Sequence, residues 1–282
     1  MSKRRGATPE NVRAWLKRGD GQGEGKDYRP FLHVRDVPSL GRSSMVLGLK
    51  TGRVHHYLSD LEYYHHILSE YEPSVLDIRE QYALLPWEET QEIADELCIA
   101  HPRYPGTKTP IVMTSDIVLT FRRPESYCGA VISIKRSEAL APDQRQFHRT
   151  LEKLLIEKTY WERRGIPWCV STEKHIPLVR AQNLNLLRTS IVARELDWLM
   201  SYMAEFTRSF ECHWGISRRL IDILNAVSAD LKLSAYYCQM LFGRMVWMRK
   251  LPVDLDSEII HHQYPLIRRP IGEGEHPCLA LA

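Results

Sequence analysis

No two of the six cysteines (Cys98, Cys128, Cys169, Cys212, Cys238 and Cys278) stand close enough to form a C-x-x-C pair. A zinc ribbon or a small disulfide framework needs such spacing, so neither is expected, and thiols scattered this way suit a reducing compartment. Charge of one sign is also missing. The 38 Lys+Arg against 35 Asp+Glu leave a formal +3, which permits nucleic-acid binding without demanding it. No apolar run reaches membrane-spanning length. Met1-Ser-Lys-Arg-Arg-Gly6 lacks the apolar core of a signal peptide, and the expectation is a cytoplasmic protein. What is present is an ordinary globular composition, 44% hydrophobic and 26% charged over 282 residues. That is enough for one large domain or two ordinary ones.

The most informative stretch runs from Ile111 to Lys135. Ile111–Thr120 is rich in β-branched residues, Arg122–Ser126 breaks it, and Ala130–Ile134 resumes as a short apolar strand ending at Lys135. Asp116 stands inside the first strand, where propensity disfavours a carboxylate. An acid on one strand and a lysine at the exit of its partner resemble the PD-(D/E)xK nuclease arrangement, although Ser133 occupies the position two before the lysine.

Towards the N-terminus, Thr8-Pro-Glu predicts a helix start, with Val12, Trp15 and Leu16 on its apolar side. Gly19–Lys26 departs from a phosphate loop at Asp20 and Asp27 and reads as a mobile, basic-flanked linker. Lys26, Arg29 and their neighbours are the candidates for touching a DNA backbone. Short strands and turns follow, including Ser39–Ser43 and Lys50–Arg53. Adjacent His55 and His56 point in different directions and make no natural metal pair. Ser59-Asp-Leu-Glu62 opens a helix that runs to about Glu70. Capping by itself accounts for Glu62; the sharper account projects it into a site built by Asp116. Val75–Leu85 reads as a strand with Leu76, Ile78 and Glu80 on one face and Asp77, Arg79 and Gln81 on the other. Pro86–Pro110 reads as acidic and then loop-like.

Ser137–Arg164 contains a long amphipathic helix whose expected buried stripe is Phe147, Leu151, Leu154, Leu155, Tyr160 and Trp161, with Glu152 and Glu157 solvated. Ile166–Thr172 is a further strand, which completes an α/β core reaching about Glu173. Beyond Ile176 the pattern is helical: Ala181–Leu187, Ser190–Phe206, Ser217–Leu231 and Ser234–Met245, then a hairpin over Val246–Leu255. That order suggests a winged helix-turn-helix. Ala235–Phe242, however, is aromatic and almost uncharged, which suits docking or burial better than groove reading. The tail from Arg268 reads as a flexible end.

Taken in order, Gly21–Tyr28, Thr51–His56, Leu58–Glu62, Val75–Gln81, Met113–Asp116, Lys135, Leu151–Leu154, Glu157 and Tyr160-Trp161 resemble the TnsA-type endonuclease subunits of heteromeric cut-and-paste transposases. The resemblance implies an α/β, restriction-endonuclease-like core and a C-terminal winged-helix-like domain. It divides the chain into a basic Gly-rich arm (1–30), a catalytic domain (31–174), a docking domain (175–260) and a tail (261–282). It implies catalytic roles for Glu62, Asp116, Lys135 and Glu157, with Glu62, Asp116, Ser133 and the Ile134 carbonyl around Mg2+ (two ions, with Mn2+ able to substitute). Lys26, Arg29 and Arg53 are the expected DNA contacts. The implied reaction is hydrolysis of the 5′ strand at transposon ends. The implied partners are double-stranded DNA, a DDE-type transposase subunit and an AAA+ ATPase regulator. The alternative is a non-catalytic assembly subunit, with Ser133 marking a decayed site.

Overall fold

The computed structural model describes residues 6–36, 42–122 and 126–270. The expected turn at Ser39–Ser43, the break at Arg122–Ser126 and the tail beyond 270 lie wholly or partly outside them. The chain divides into two compact units, one ending at Ile176 and one beginning at Pro177. Among the described residues no helix is long and apolar enough to cross a membrane.

The first unit is mixed α/β. Helix α1 (Pro9–Lys17) starts where the sequence predicts. Thr8 caps it, and Asn11 returns the bond to the Thr8 backbone. Strands β1 (Ser44–Leu47) and β2 (Val54–Tyr57) form an antiparallel pair, and α2 (Asp60–Tyr71) follows directly. Strands β3 (Val75–Ala83), β4 (Thr114–Arg122), β5 (Tyr127–Ile134) and β6 (Trp168–Ser171) form one sheet in that order. The first three run antiparallel, while β6 lies parallel to β5. A parallel neighbour needs a crossover, and α4 (Phe147–Glu162) supplies it.

The main core lies where the sheet meets α4 and α3 (Glu89–Glu96): Leu84, Ile93, Val118, Val131, Ile156, Tyr160 and Trp161 are buried together. Burying such a set at roughly 1.5–3 kcal/mol per large side chain is what holds the layers together. A second cluster of Val12, Phe31, Ala83, Tyr104 and Val112 fixes α1 to the same unit.

Two expectations change here, the linker and the buried stripe of α4. Gly19–Lys26, expected as a mobile linker, is folded. Asp20 is fully buried and pairs with Arg18, Gly21 N–H donates to Arg29 O at 2.7 Å, and Gly25 N–H donates to Asp77 at 3.1 Å. Gly21 is required there, because a Cβ would lie 2.3 Å from that of Ala83 and its φ is +77°. The acidic stretch after Pro86 forms helix α3, because Ile93 and Ala94 find the α4 core, and the loop-like part follows it. On α4, Leu151 and Leu155 are exposed at 41% and 42%, and Ile156 and Glu157 turn inward. The buried stripe is rotated because a carboxylate is buried with it. Within Ser137–Arg164 the helix itself begins at Phe147, with a 3-10 turn at Ser137–Leu140 ahead of it.

The second unit is helical: α5 (Leu178–Val192), a 3-10 segment Arg194–Tyr202, α6 (Met203–His213), α7 (Leu220–Leu231) and α8 (Ala235–Trp247). Ser234 caps α8, accepting from Tyr237 N–H at 3.3 Å. Phe206, Phe210 and Phe242 stack in its core. Helices α5 and α8 meet at Gly243, where a Cβ would sit 2.5 Å from Ser190 Oγ. The expected hairpin at Val246–Leu255 does not form. Helix α8 continues through Trp247, burying Met245 and Val246, and the following chain makes isolated bridges such as Val253↔Arg268. Arg268 is likewise not a free end: it pairs with Glu211 at 2.5 Å and covers the Trp214 ring at 3.9 Å.

Candidate active site

Asp116 enters from β4, Lys135 from the exit of β5 and Glu62 from the first turn of α2. The register pairs Ile117 with Ile132, so Asp116 lies beside the end of β5. There, Asp116 Oδ2 accepts from the Ile134 N–H at 2.6 Å and from Lys135 Nζ at 2.8 Å. The same ammonium donates to the Ile134 carbonyl at 2.9 Å. Burial works against the Lys135 charge, but Asp116 and Glu157 more than offset it and raise its pKa.

Glu62 caps α2 and is also buried beside Asp116. Its N–H donates to Ser59 Oγ at 3.2 Å, while its carboxylate accepts from Ser59 Oγ at 2.8 Å and Leu58 N–H at 3.0 Å. This is a variant of the capping box. The side chain is also buried against the site. Desolvation, and then the charge of Asp116, push its pKa up to about 7, with the cap bonds and Lys135 opposing. Glu62 is thus buried beside the part-buried Asp116, with Lys135 as the cation that faces both. The Lys135 ammonium already bridges two of the oxygens expected to hold a cation, Asp116 Oδ2 and Ile134 O. That donor set, hard oxygen throughout, fits a divalent ion that keeps part of its water shell. Among the described residues no three His, Cys, Asp or Glu side chains form a metal-binding cluster by themselves, so an ion here would need backbone carbonyl and water oxygens as well.

Ser133 faces elsewhere. Its hydroxyl lies 2.6 Å from both carboxylate oxygens of Glu157, so it is engaged with α4, and the structure does not direct it to Glu62 and Asp116 as a ligand. Glu157 is itself buried, and that burial raises its pKa; Lys135, Ser115 and Ser133 oppose the shift. A solvated face is therefore the wrong reading of Glu157. The buried hydroxyls of Ser115 and Ser133 are the reason the helix tolerates an inward carboxylate.

Arg53, an expected DNA contact, is turned inside the protein. It is 9% exposed and binds both oxygens of Glu80, at 2.8 and 2.6 Å, together with the Ile78 carbonyl at 2.8 Å. A buried carboxylate on β3 claims the guanidinium that a surface reading assigns to phosphate. His55 completes this network: Nδ1 lies 2.8 Å from Glu80 and Nε2 lies 2.7 Å from Thr51 Oγ1. Lys26 is exposed, and Arg29, also exposed, donates to Arg18 O at 3.0 Å.

Gln81 carries no sequence signal as a site residue. The flanking pairs Glu80↔Ile117 and Tyr82↔Ser115 put it opposite Asp116. Its φ is +48°, a strained value for a residue within a strand. The side chain is 2% exposed, donates to Glu62 at 3.2 Å and accepts from Thr114 Oγ1 at 3.5 Å. Gln81 thus fixes the Glu62 carboxylate from the sheet side, as Ser59 fixes it from the helix.

With this geometry established, the comparisons with known proteins are specific. The family model described as TnsA-like endonuclease N terminal matches residues 72–173, a span that includes Asp116, Lys135 and Glu157. Transposon Tn7 transposition protein TnsA of Escherichia coli is 44% identical over 192 residues, covering 67% of this chain and 67% of that protein. The chain belongs to the TnsA-like endonuclease family.

Proposed function

We propose that this DNA endonuclease of transposition cuts the 5′ strand at transposon ends, using Glu62, Asp116 and Lys135 as its reacting site. The observation that carries this reading is the Lys135 ammonium bridging Asp116 and the Ile134 carbonyl, beside a buried Glu62 that feels the charge of both Asp116 and Lys135. In the reaction a water oxygen forms a bond to phosphorus, and the bond to the bridging ester oxygen breaks. Bound divalent metal, Mg2+ in this reading, would stabilise the attacking and leaving oxygens. Glu62, Asp116 and the Ile134 carbonyl would hold it. Lys135 orients the attacking water and meets the negative charge that builds on the phosphoryl oxygens. Asp116, then Glu157, keep the Lys135 ammonium charged, and the Ser133 hydroxyl holds Glu157 in place.

An antiparallel trio with a parallel fourth strand and a helix between supports a restriction-endonuclease-like core for the first unit. Double-stranded DNA and a transposase subunit are the partners of that core. The second unit is the docking unit, winged-helix-like in its α7–turn–α8 element, for an AAA+ ATPase regulator. Tyr236 on α8, 54% exposed beside few charges, supports this assignment. The test is a reconstituted reaction with transposase and Mg2+ on end DNA. The nuclease reading expects 5′ cutting that Glu62→Gln abolishes. The alternative of a non-catalytic assembly subunit expects that variant to behave as wild type.

A further inference from the structure

A cavity of about 580 Å3 opens beside Lys135, lined mostly by apolar side chains. Half of its charged and hydroxyl groups come from one helix. Thr150, Lys153 and Glu157 line it together, and their spacing of three and then four residues along α4 puts them on one helix face. Their situations differ. Glu157 is buried and engaged with Ser133, and the Lys135 charge is balanced by Asp116 at 2.8 Å. Lys153 is exposed at the cavity mouth, and among the described residues no carboxylate counters its charge. Partial burial, then Arg149, then Lys135 all act to lower its pKa. Arg149 is already paired with Glu152 at 2.6 Å. A cation repelled by two others, on the lip of a nuclease cleft, is stabilised when an anion arrives.

We propose that Lys153 holds a backbone phosphate of the DNA strand beside the scissile one, making the mouth of this cavity a phosphate subsite. The proposal rests on the nuclease reading of Asp116 and Lys135, because those residues define where the strand lies. A lysine serves this purpose as a point charge that neutralises one phosphate and releases its condensed counterion. The contact positions DNA without reading sequence.

The experiment titrates the full chain onto transposase-bound end DNA across a salt series, using wild type, Lys153→Gln, Lys153→Arg and Asp116→Asn. Lys153→Gln is expected to weaken binding and to make the log–log salt slope shallower by about 0.9, with an unchanged melting temperature. Lys153→Arg is expected to restore the slope. A wild-type slope in Lys153→Gln overturns the subsite, as does a lower melting temperature that accounts for the loss. Asp116→Asn separates the two readings. If it binds with the wild-type slope but no longer cuts, the nuclease site stands whatever Lys153 does. If it still cuts, that site is wrong, independently of the Lys153 result.

Discussion

Gln81 Nε2 lies 3.2 Å from Glu62 Oε2, across the gap between β3 and the first turn of α2. The residue making this bond has φ +48°, a conformation that costs on the order of 1 kcal/mol or more in a non-glycine residue. Strain within a strand persists where surrounding contacts over-determine it, and here the contact is with a site carboxylate.

Gln81→Gly therefore separates stability from activity. Glycine relieves the positive φ but removes the amide that holds Glu62. Urea unfolding is expected to show stability within about 1 kcal/mol of wild type, set by relieved strain against lost burial. Mg2+-dependent nicking is expected to fall by about tenfold or more. Equal losses in both would assign Gln81 a structural role only.

Glu62→Gln tests the other double role. The amide oxygen can take the Oε2 position and still accept from Leu58 N–H, while the amide NH2 at the Oε1 position donates to Ser59 Oγ, so the α2 cap is expected to survive and stability to change by no more than about 1 kcal/mol. Metal-dependent stabilisation should vanish. At ten times its Kd, a cation that binds only the folded state adds about 1.4 kcal/mol to wild type, seen as a rise in Tm with Mg2+. A rise of equal size in the variant would remove Glu62 from the metal site.

The Glu80–Arg53–His55 network makes a separate prediction about acid. The folded Glu80 carboxyl titrates near 2 instead of 4.5: burial would raise it, but the bonds from Arg53 and His55 lower it further. Burial holds His55 neutral down to about 4 instead of 6.5, with Glu80 opposing. From pH 6.5 to about 4 the unfolded chain carries the extra His55 proton, and from 4.5 to about 2 it carries the extra Glu80 proton. Stability thus rises with pH across both windows and is lost on acidification, on the order of 3 kcal/mol for each group. Urea midpoints measured from pH 7 to pH 3 check the sign; a flat profile contradicts it. Arg53→Gln leaves Glu80 buried and unpaired, and is expected to cost about 3–5 kcal/mol at pH 7.

Much of this site is legible in the sequence, and the illegible parts have physical reasons. Asp116 is visible because a carboxylate inside a β-branched strand violates propensity, and Lys135 because it ends an apolar run. Glu62 is visible only as a cap, since the cap and the site share the same bonds. Glu157 cannot be read from helical periodicity, because its burial depends on two serines from distant strands. That same inward carboxylate turns Leu151 and Leu155 outward against the expected stripe. Arg53 shows why charge alone does not mark a DNA contact: its partner Glu80 is 27 residues away in sequence, and the pair is buried. Gln81 owes its place to a backbone angle that no local residue pattern announces.

The most direct measurement is 5′-strand cutting of end DNA by Asp116→Asn in the reconstituted Mg2+ reaction. The substitution keeps the side-chain shape but removes the charge that Lys135 and Glu62 both feel. Cutting is expected to fall by more than about 100-fold, with the variant still folded and bound to DNA. Wild-type cutting by folded Asp116→Asn would contradict the account.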